Sequence, residues 1–101
     1  MKIHELKCWP ESFEAVMSER KRFDYRKYDR GFNVGDALHL RRWDPATENY
    51  QGGGCLCLVT YVINGPTFGV PEGYCVLSIV LLWPRDSRDL DREGDVLRGH
   101  P

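Results

Sequence analysis

Residues 19–30, ERKRFDYRKYDR, decide the fold. Phe23, Tyr25 and Tyr28 recur there at every second or third position and Gly31 follows, a spacing that predicts an extended strand rather than a helix. In a strand, Phe23 and Tyr25 take one face while Asp24 and Arg26 take the other. Six basic side chains fall within the stretch. An acid and a guanidinium on one face can pair in a fixed geometry, and Lys21, at the corner where a short helix gives way to the strand, reaches the same space. Lys21, Asp24 and Arg26 are therefore the first candidate site.

Upstream, residues 2–7 predict a strand with Ile3 and Glu5 on one face and His4 and Leu6 on the other. Pro10 suits the first position of a helix, where its missing N–H would have no partner anyway. Trp9, Phe13, Val16 and Met17 then fall at helical spacing as far as about Ser18. Downstream, Asn33-Val34-Gly35-Asp36 predicts a turn and residues 37–43 a strand. Asp44-Pro45-Ala46-Thr47 suits a type I turn with proline at its second position. Gly52-Gly53-Gly54 is expected at the mobile tip of a long hairpin, before a strand over residues 55–63. Asn64-Gly65-Pro66 breaks that strand, and residues 74–83 return as a nearly all-apolar, central one. Five or six strands with one helix give an α+β class and a small mixed barrel. Trp9, Phe13, Phe23, Trp43 and Leu77 are the expected large core residues. Tyr25 is placed with them, while Tyr28, beside Lys27 and Arg30, is left outside as the aromatic available for stacking.

The 101 residues, 42% hydrophobic with a net charge of −1, suit one folded domain rather than a disordered chain. Residues 1–84 hold ten basic and ten acidic side chains, and residues 85–101 four basic and five acidic. That last segment alternates charge without an apolar face and is expected to be a flexible tail to a domain spanning residues 1–84. Near-neutrality disfavours a protein that coats duplex DNA by charge alone. Any anionic partner should instead meet the basic face at residues 20–30, with Arg41 and Arg42. The longest apolar run, residues 75–83, is far short of a membrane span, and no charged-then-apolar leader opens the chain, so a cytoplasmic protein with no membrane contact is expected.

Cys55-x-Cys57 directs two thiols to one face of a strand, with Cys8, Cys75, His4 and His39 elsewhere. Structural zinc sites use Cys-x₂₋₄-Cys knuckles on turns. Thiols in apolar strands behave as small hydrophobes, so neither a metal nor another cofactor is expected, and a reducing compartment disfavours a disulfide.

The corner resembles the signature of the ASCH domains, a branch of the PUA-like superfamily, which reads Gly-x-Lys-x-x-Glu-x-Arg at a helix-to-strand junction. Lys21 and Arg26 match it directly, Asp24 stands in for the Glu, and Glu19 occupies the place of the Gly, a residue that eases such a corner. His4-Glu5-Leu6-Lys7, Trp9-Pro10, Lys27-Tyr28-Asp29-Arg30, Val34-Gly35-Asp36, Pro71-Glu72-Gly73-Tyr74 and Val76-Leu77-Ser78-Ile79 look like one small uncharacterised bacterial and phage family within that superfamily. The resemblance implies a PUA-like barrel with an N-terminal helix, and a domain that binds RNA or a nucleotide-like ligand. Lys21, Arg26 and Lys27 would contact phosphate or base, with Arg30 alongside, Asp24 would position Arg26, and Tyr28 would stack. Some ASCH-type proteins are amidohydrolases that deacylate a modified cytidine with this lysine, a hydroxyl residue three positions later and a later glutamate. The corresponding catalytic set here is Lys21, Asp24 and Glu72, with a carboxylate where the hydroxyl would stand. A protein-interaction module is a third reading, built on the charged tail and the tyrosines.

Overall fold

The computed structural model describes residues 1–84, so the tail over residues 85–101 lies outside the described residues. The elements run β1 (Ile3–Cys8), α1 (Pro10–Met17), β2 (Phe23–Lys27), β3 (Ala37–Asp44), β4 (Asn49–Asn64) and β5 (Tyr74–Trp83). The five strands form one curled, half-barrel sheet in the order β1-β3-β4-β5-β2, with the helix as the α part of an α+β fold. β1 runs parallel to β3, and the other neighbours are antiparallel. No described helix is long and apolar enough to cross a membrane.

Alternation selects the buried face. On β1, His4, Leu6 and Cys8 turn inward while Ile3, Glu5 and Lys7 turn out. α1 begins with Pro10 at its first turn and buries Phe13 and Val16, one helical turn apart. They join Leu6, Leu38, Leu40, Val59, Leu77 and Ile79 in the core, where all four cysteines are buried as free thiols. Among the described residues, no three His, Cys, Asp or Glu side chains gather as a metal site.

The core departs from expectation at its aromatic members. Phe13 and Leu77 are buried, but Trp9 is 62% exposed and Phe23 49% exposed. Trp9 is the N-cap residue with extended backbone, ahead of the helical stripe it was grouped with. Phe23 and Tyr25 do share a face of β2, and it is the outer one, because Asp24 and Arg26 turn toward the helix. Trp43 is only half-buried. Phe32, in the loop after β2, joins Phe13 as a large buried aromatic.

The glycine triplet also differs. The hairpin turns at residues 45–48, where Asp44 Oδ1 accepts the Ala46 N–H at 2.9 Å, and Gly52, Gly53 and Gly54 lie inside β4. A register shift between Arg41 and Trp43 marks a bulge there. Gly52 and Gly53 adopt φ of 76° and 80°, which glycine alone accepts without cost, and a Cβ on Gly54 would stand 3.0 Å from His39 Nε2. β5 is an interior strand between β4 and β2, with β4 at the centre of the sheet.

The predicted turn at Asn33–Asp36 closes on a buried His–Asp hydrogen bond. Asp36 accepts His4 Nε2 at 2.8 Å and the backbone N–H groups of Asn33 and Lys2 at 3.0 and 3.1 Å. The His4 hydrogen bond, seconded by that of Lys2, holds the Asp36 carboxyl down to about 2. Because Lys2 precedes β1 and Asp36 precedes β3, the pair ties the starts of the two parallel strands.

Candidate functional site

The corner between α1 and β2 is a Schellman motif. The Arg20 N–H reaches the Ala15 carbonyl at 2.9 Å, and the Glu19 N–H the Val16 carbonyl, also at 2.9 Å. Glu19 takes the left-handed position, φ 60°, that such a motif ordinarily gives to glycine. Glu19→Gly is therefore expected to raise the unfolding free energy by about 1 kcal/mol, read as a higher urea midpoint at unchanged slope. A lower midpoint would show that the Glu19 side chain contributes more than its backbone costs.

Beyond the corner, the Lys21 N–H also bonds the Ala15 carbonyl, at 3.0 Å, so the Lys21 side chain runs back along the helix. Its ammonium donates to Ser12 Oγ at 3.0 Å and stands 4.0 Å from Asp24 Oδ1. Arg26 Nε donates to Asp24 Oδ2, and Arg26 Nη2 reaches across to the Lys7 carbonyl at 3.4 Å. The sequence constellation is thus assembled, with a buried carboxylate held between two cations that each keep about one fifth of their side-chain surface exposed, 19% for Lys21 and 21% for Arg26.

These groups line an open cleft of about 270 Å³. One wall is the end of β1 and the start of α1, Lys7 to Trp9 with Ser12; the other is β2, Asp24 to Arg26. β1 and β2 are the two edge strands of the described sheet, so the cleft is the seam where the curled sheet fails to close. Tyr25, 48% exposed, and Trp9 stand on opposite walls. Cys8 also borders the cleft, but burial pushes its thiol up to about 11, so it is no nucleophile at neutral pH. The site offers a cationic fork, an ammonium, a carboxylate acceptor, a hydroxyl and the exposed indole of Trp9, while the Tyr25 ring turns to the outer face of β2 and stacks on Tyr74 with 5.5 Å between centroids.

The remaining expected site residues do not line this cleft. Lys27 is on the outer face of β2 with Phe23 and Tyr25. Tyr28 meets Phe32 edge-on with 6.1 Å between ring centroids, and Arg30 pairs with Asp29 at 3.2 Å. Glu72 is exposed at the opposite end of β2. The Tyr28 N–H bonds the Gly73 carbonyl there, whereas near Lys21 the Ile79 N–H bonds the Arg22 carbonyl. The intervening stretch of β5 spans roughly 20 Å at ~3.3 Å per residue, so Glu72 and Lys21 do not share a small ligand.

Trp9 and Ser12 were missed as site residues. Both had a signal in Pro10, which starts the helix and places its first turn, with the N-cap residue, at the end of β1.

A family model described as a domain of unknown function, DUF3850, matches residues 3–79. A protein of Escherichia phage P2, named "Uncharacterized 12.9 kDa protein in GpA 3'region", is 43% identical over 42 residues. That alignment covers 42% of this chain and 38% of the phage protein, so the chain spans well under two thirds of that relative.

Proposed function

The chain belongs to the DUF3850 family of domains, and on that premise we propose that it is a PUA-like, ASCH-type domain of the cytoplasm that binds RNA or a nucleotide in the seam between β1 and β2. The observation that carries this reading is the Lys21–Asp24–Arg26 constellation lining an open cleft, with Trp9 on the facing wall. A guanidinium fork suits a phosphate or a base edge. The buried Asp24 holds that fork in place and can itself accept from an exocyclic amine. The exposed indole of Trp9 suits a planar base. Lys27 and Arg30, outside the cleft, are left for the backbone of a longer ligand.

Arg26→Ala is expected to weaken binding of a short single-stranded RNA or of a nucleotide by roughly 10- to 100-fold, as loss of a charge-assisted hydrogen bond does. It should also flatten the salt dependence of the RNA affinity. Fluorescence titration at two ionic strengths, with circular dichroism to confirm the fold, reads both. If wild-type protein binds no member of a nucleoside and short-RNA pool, the reading is wrong.

One observation favours a hydrolytic second reading: Ser12 Oγ lies 3.0 Å from Lys21 Nζ, which supplies the hydroxyl that position 24 lacks. The reaction would be deacylation of an acylated cytidine. The amide C–N bond breaks, and water gives its hydroxyl to the acyl carbon and its proton to the departing amine. This reading rests on Lys21, Asp24 and Ser12, without Glu72. Turnover of acetylated cytidine that Lys21→Ala removes would establish it, and absence of turnover by folded wild type would leave the binding function.

A further inference from the structure

The outer face of β2, β5 and β4 carries aromatic side chains in register. Ser78 pairs with Phe23 on one side and Tyr61 on the other, and Val76 likewise lies between Tyr25 and Ile63. Phe23, Tyr25 and Tyr61 are 49%, 48% and 63% exposed. In the first row the rings stand on either side of a small residue, on strands that are next-but-one neighbours and so roughly 10 Å apart. The floor between them is polar. A bulge at Thr60 brings its Oγ1 to 3.0 Å from Ser78 Oγ and 3.2 Å from the Ser78 carbonyl, so hydroxyl groups sit between two exposed aromatic faces.

Charge narrows the occupant. Neither row contains a carboxylate. Lys21 Nζ stands 5.3 Å from the Phe23 ring centroid, and Lys27 follows Tyr25 on the same face of β2. Tyr25 belongs both to this face and to the wall of the cleft, so the two surfaces are continuous. A face of aromatic rings with hydroxyls between them, bordered by cations and free of acids, suits the bases and phosphates of a single strand, which stack on any exposed ring.

We infer that single-stranded RNA leaving the cleft crosses Tyr25 and seats its next base between Phe23 and Tyr61, over Ser78 and Thr60. This rests on the cleft being a nucleotide site, and it makes the ligand an oligonucleotide rather than a free nucleotide. Phe23 and Tyr61 supply stacking, Ser78 and Thr60 hydrogen bonds to the base edge, and Lys21 and Lys27 contacts to the flanking phosphates.

The test compares cytidine 5′-monophosphate with a short oligocytidine RNA. On wild type, the oligonucleotide should bind more tightly than the mononucleotide. Tyr61→Ala should weaken the oligonucleotide roughly 5- to 100-fold, the range for loss of a stacking aromatic, and leave the mononucleotide unchanged. Tyr61→Trp should restore the oligonucleotide affinity. Because Tyr61 is solvent-facing, neither variant should unfold the sheet. Mononucleotide binding with an oligonucleotide affinity indifferent to Tyr61→Ala would overturn the inference and leave the cleft standing. No binding of either probe would overturn both. Self-association that Tyr61→Ala abolishes, with no effect on RNA, would overturn the inference and assign the face to a second copy of the chain.

Discussion

Asp24→Ala is expected to lower the unfolding free energy by about 2–4 kcal/mol, one of the two largest single-residue effects anticipated for this chain. Asp24 is 3% exposed, and its carboxylate meets the guanidinium of Arg26 and stands beside the ammonium of Lys21. Removing it leaves two cations, both mostly covered, facing each other without an anion between them. Breaking a fully buried pair in this way costs about 3–5 kcal/mol. The lower range applies because Arg26 and Lys21 keep some contact with water and Lys21 retains Ser12. Asp24→Asn, which keeps the shape and one acceptor, should fall between the two. Urea unfolding of the three proteins at low and high salt measures the series, and a loss under about 1 kcal/mol for Asp24→Ala would mean the site is far wetter than its burial implies.

Gly65→Ala should cost at least about 3 kcal/mol and could prevent accumulation of folded protein. A Cβ on Gly65 would fall inside the Pro71 carbonyl group and 2.7 Å from the Val70 carbonyl oxygen, and all of those are backbone atoms with no rotamer to yield. Retreat is blocked, because the Gly65 N–H is bonded to the Tyr74 carbonyl at 2.9 Å, where β5 begins. Gly31→Ala is the matched control. Its Cβ would meet nothing within 4 Å and its φ lies outside the left-handed region, so it should be neutral or stabilise by up to about 1 kcal/mol through the unfolded chain. Equal urea midpoints for the two variants would refute the steric argument.

What could be read from the chain follows from which interactions are local. Pro10, the apolar spacing of α1 and the turn residues at Asn33–Asp36 and Asp44–Thr47 act over a few positions, and those elements stand where expected. The parity of β2 was also legible, with Asp24 and Arg26 opposite Phe23 and Tyr25. Which face of β2 would be covered was not, since hydrophobicity favours burying Phe23, whereas the helix corner brings Lys21 and Ser12 to the Asp24 side. The glycines at 52–54 look like a loop by composition. Their φ values and the closeness of His39 to Gly54 make them a bulged strand, a reason that exists only once β3 is alongside. The His4–Asp36 pair joins residues 32 positions apart and leaves no trace in spacing. Within the site, the motif located Lys21, Asp24 and Arg26. It carried no information on Trp9, supplied by the neighbouring strand end, or on the distance that separates Glu72 from the rest.

The gap between β1 and β2 has a mechanical side. Among the described residues, the ladders on either side of β3, β4 and β5 must be broken for those strands to part. β1 and β2 face each other across a gap bridged by one long hydrogen bond from Arg26 to the Lys7 carbonyl. Widening that gap breaks no ladder, so the half-barrel is hinged on its own sheet and latched by a side chain. A ligand that engages Arg26 takes hold of the latch. A ligand bound there, as proposed, would couple occupancy to curvature, and its affinity would include the work of bending the sheet.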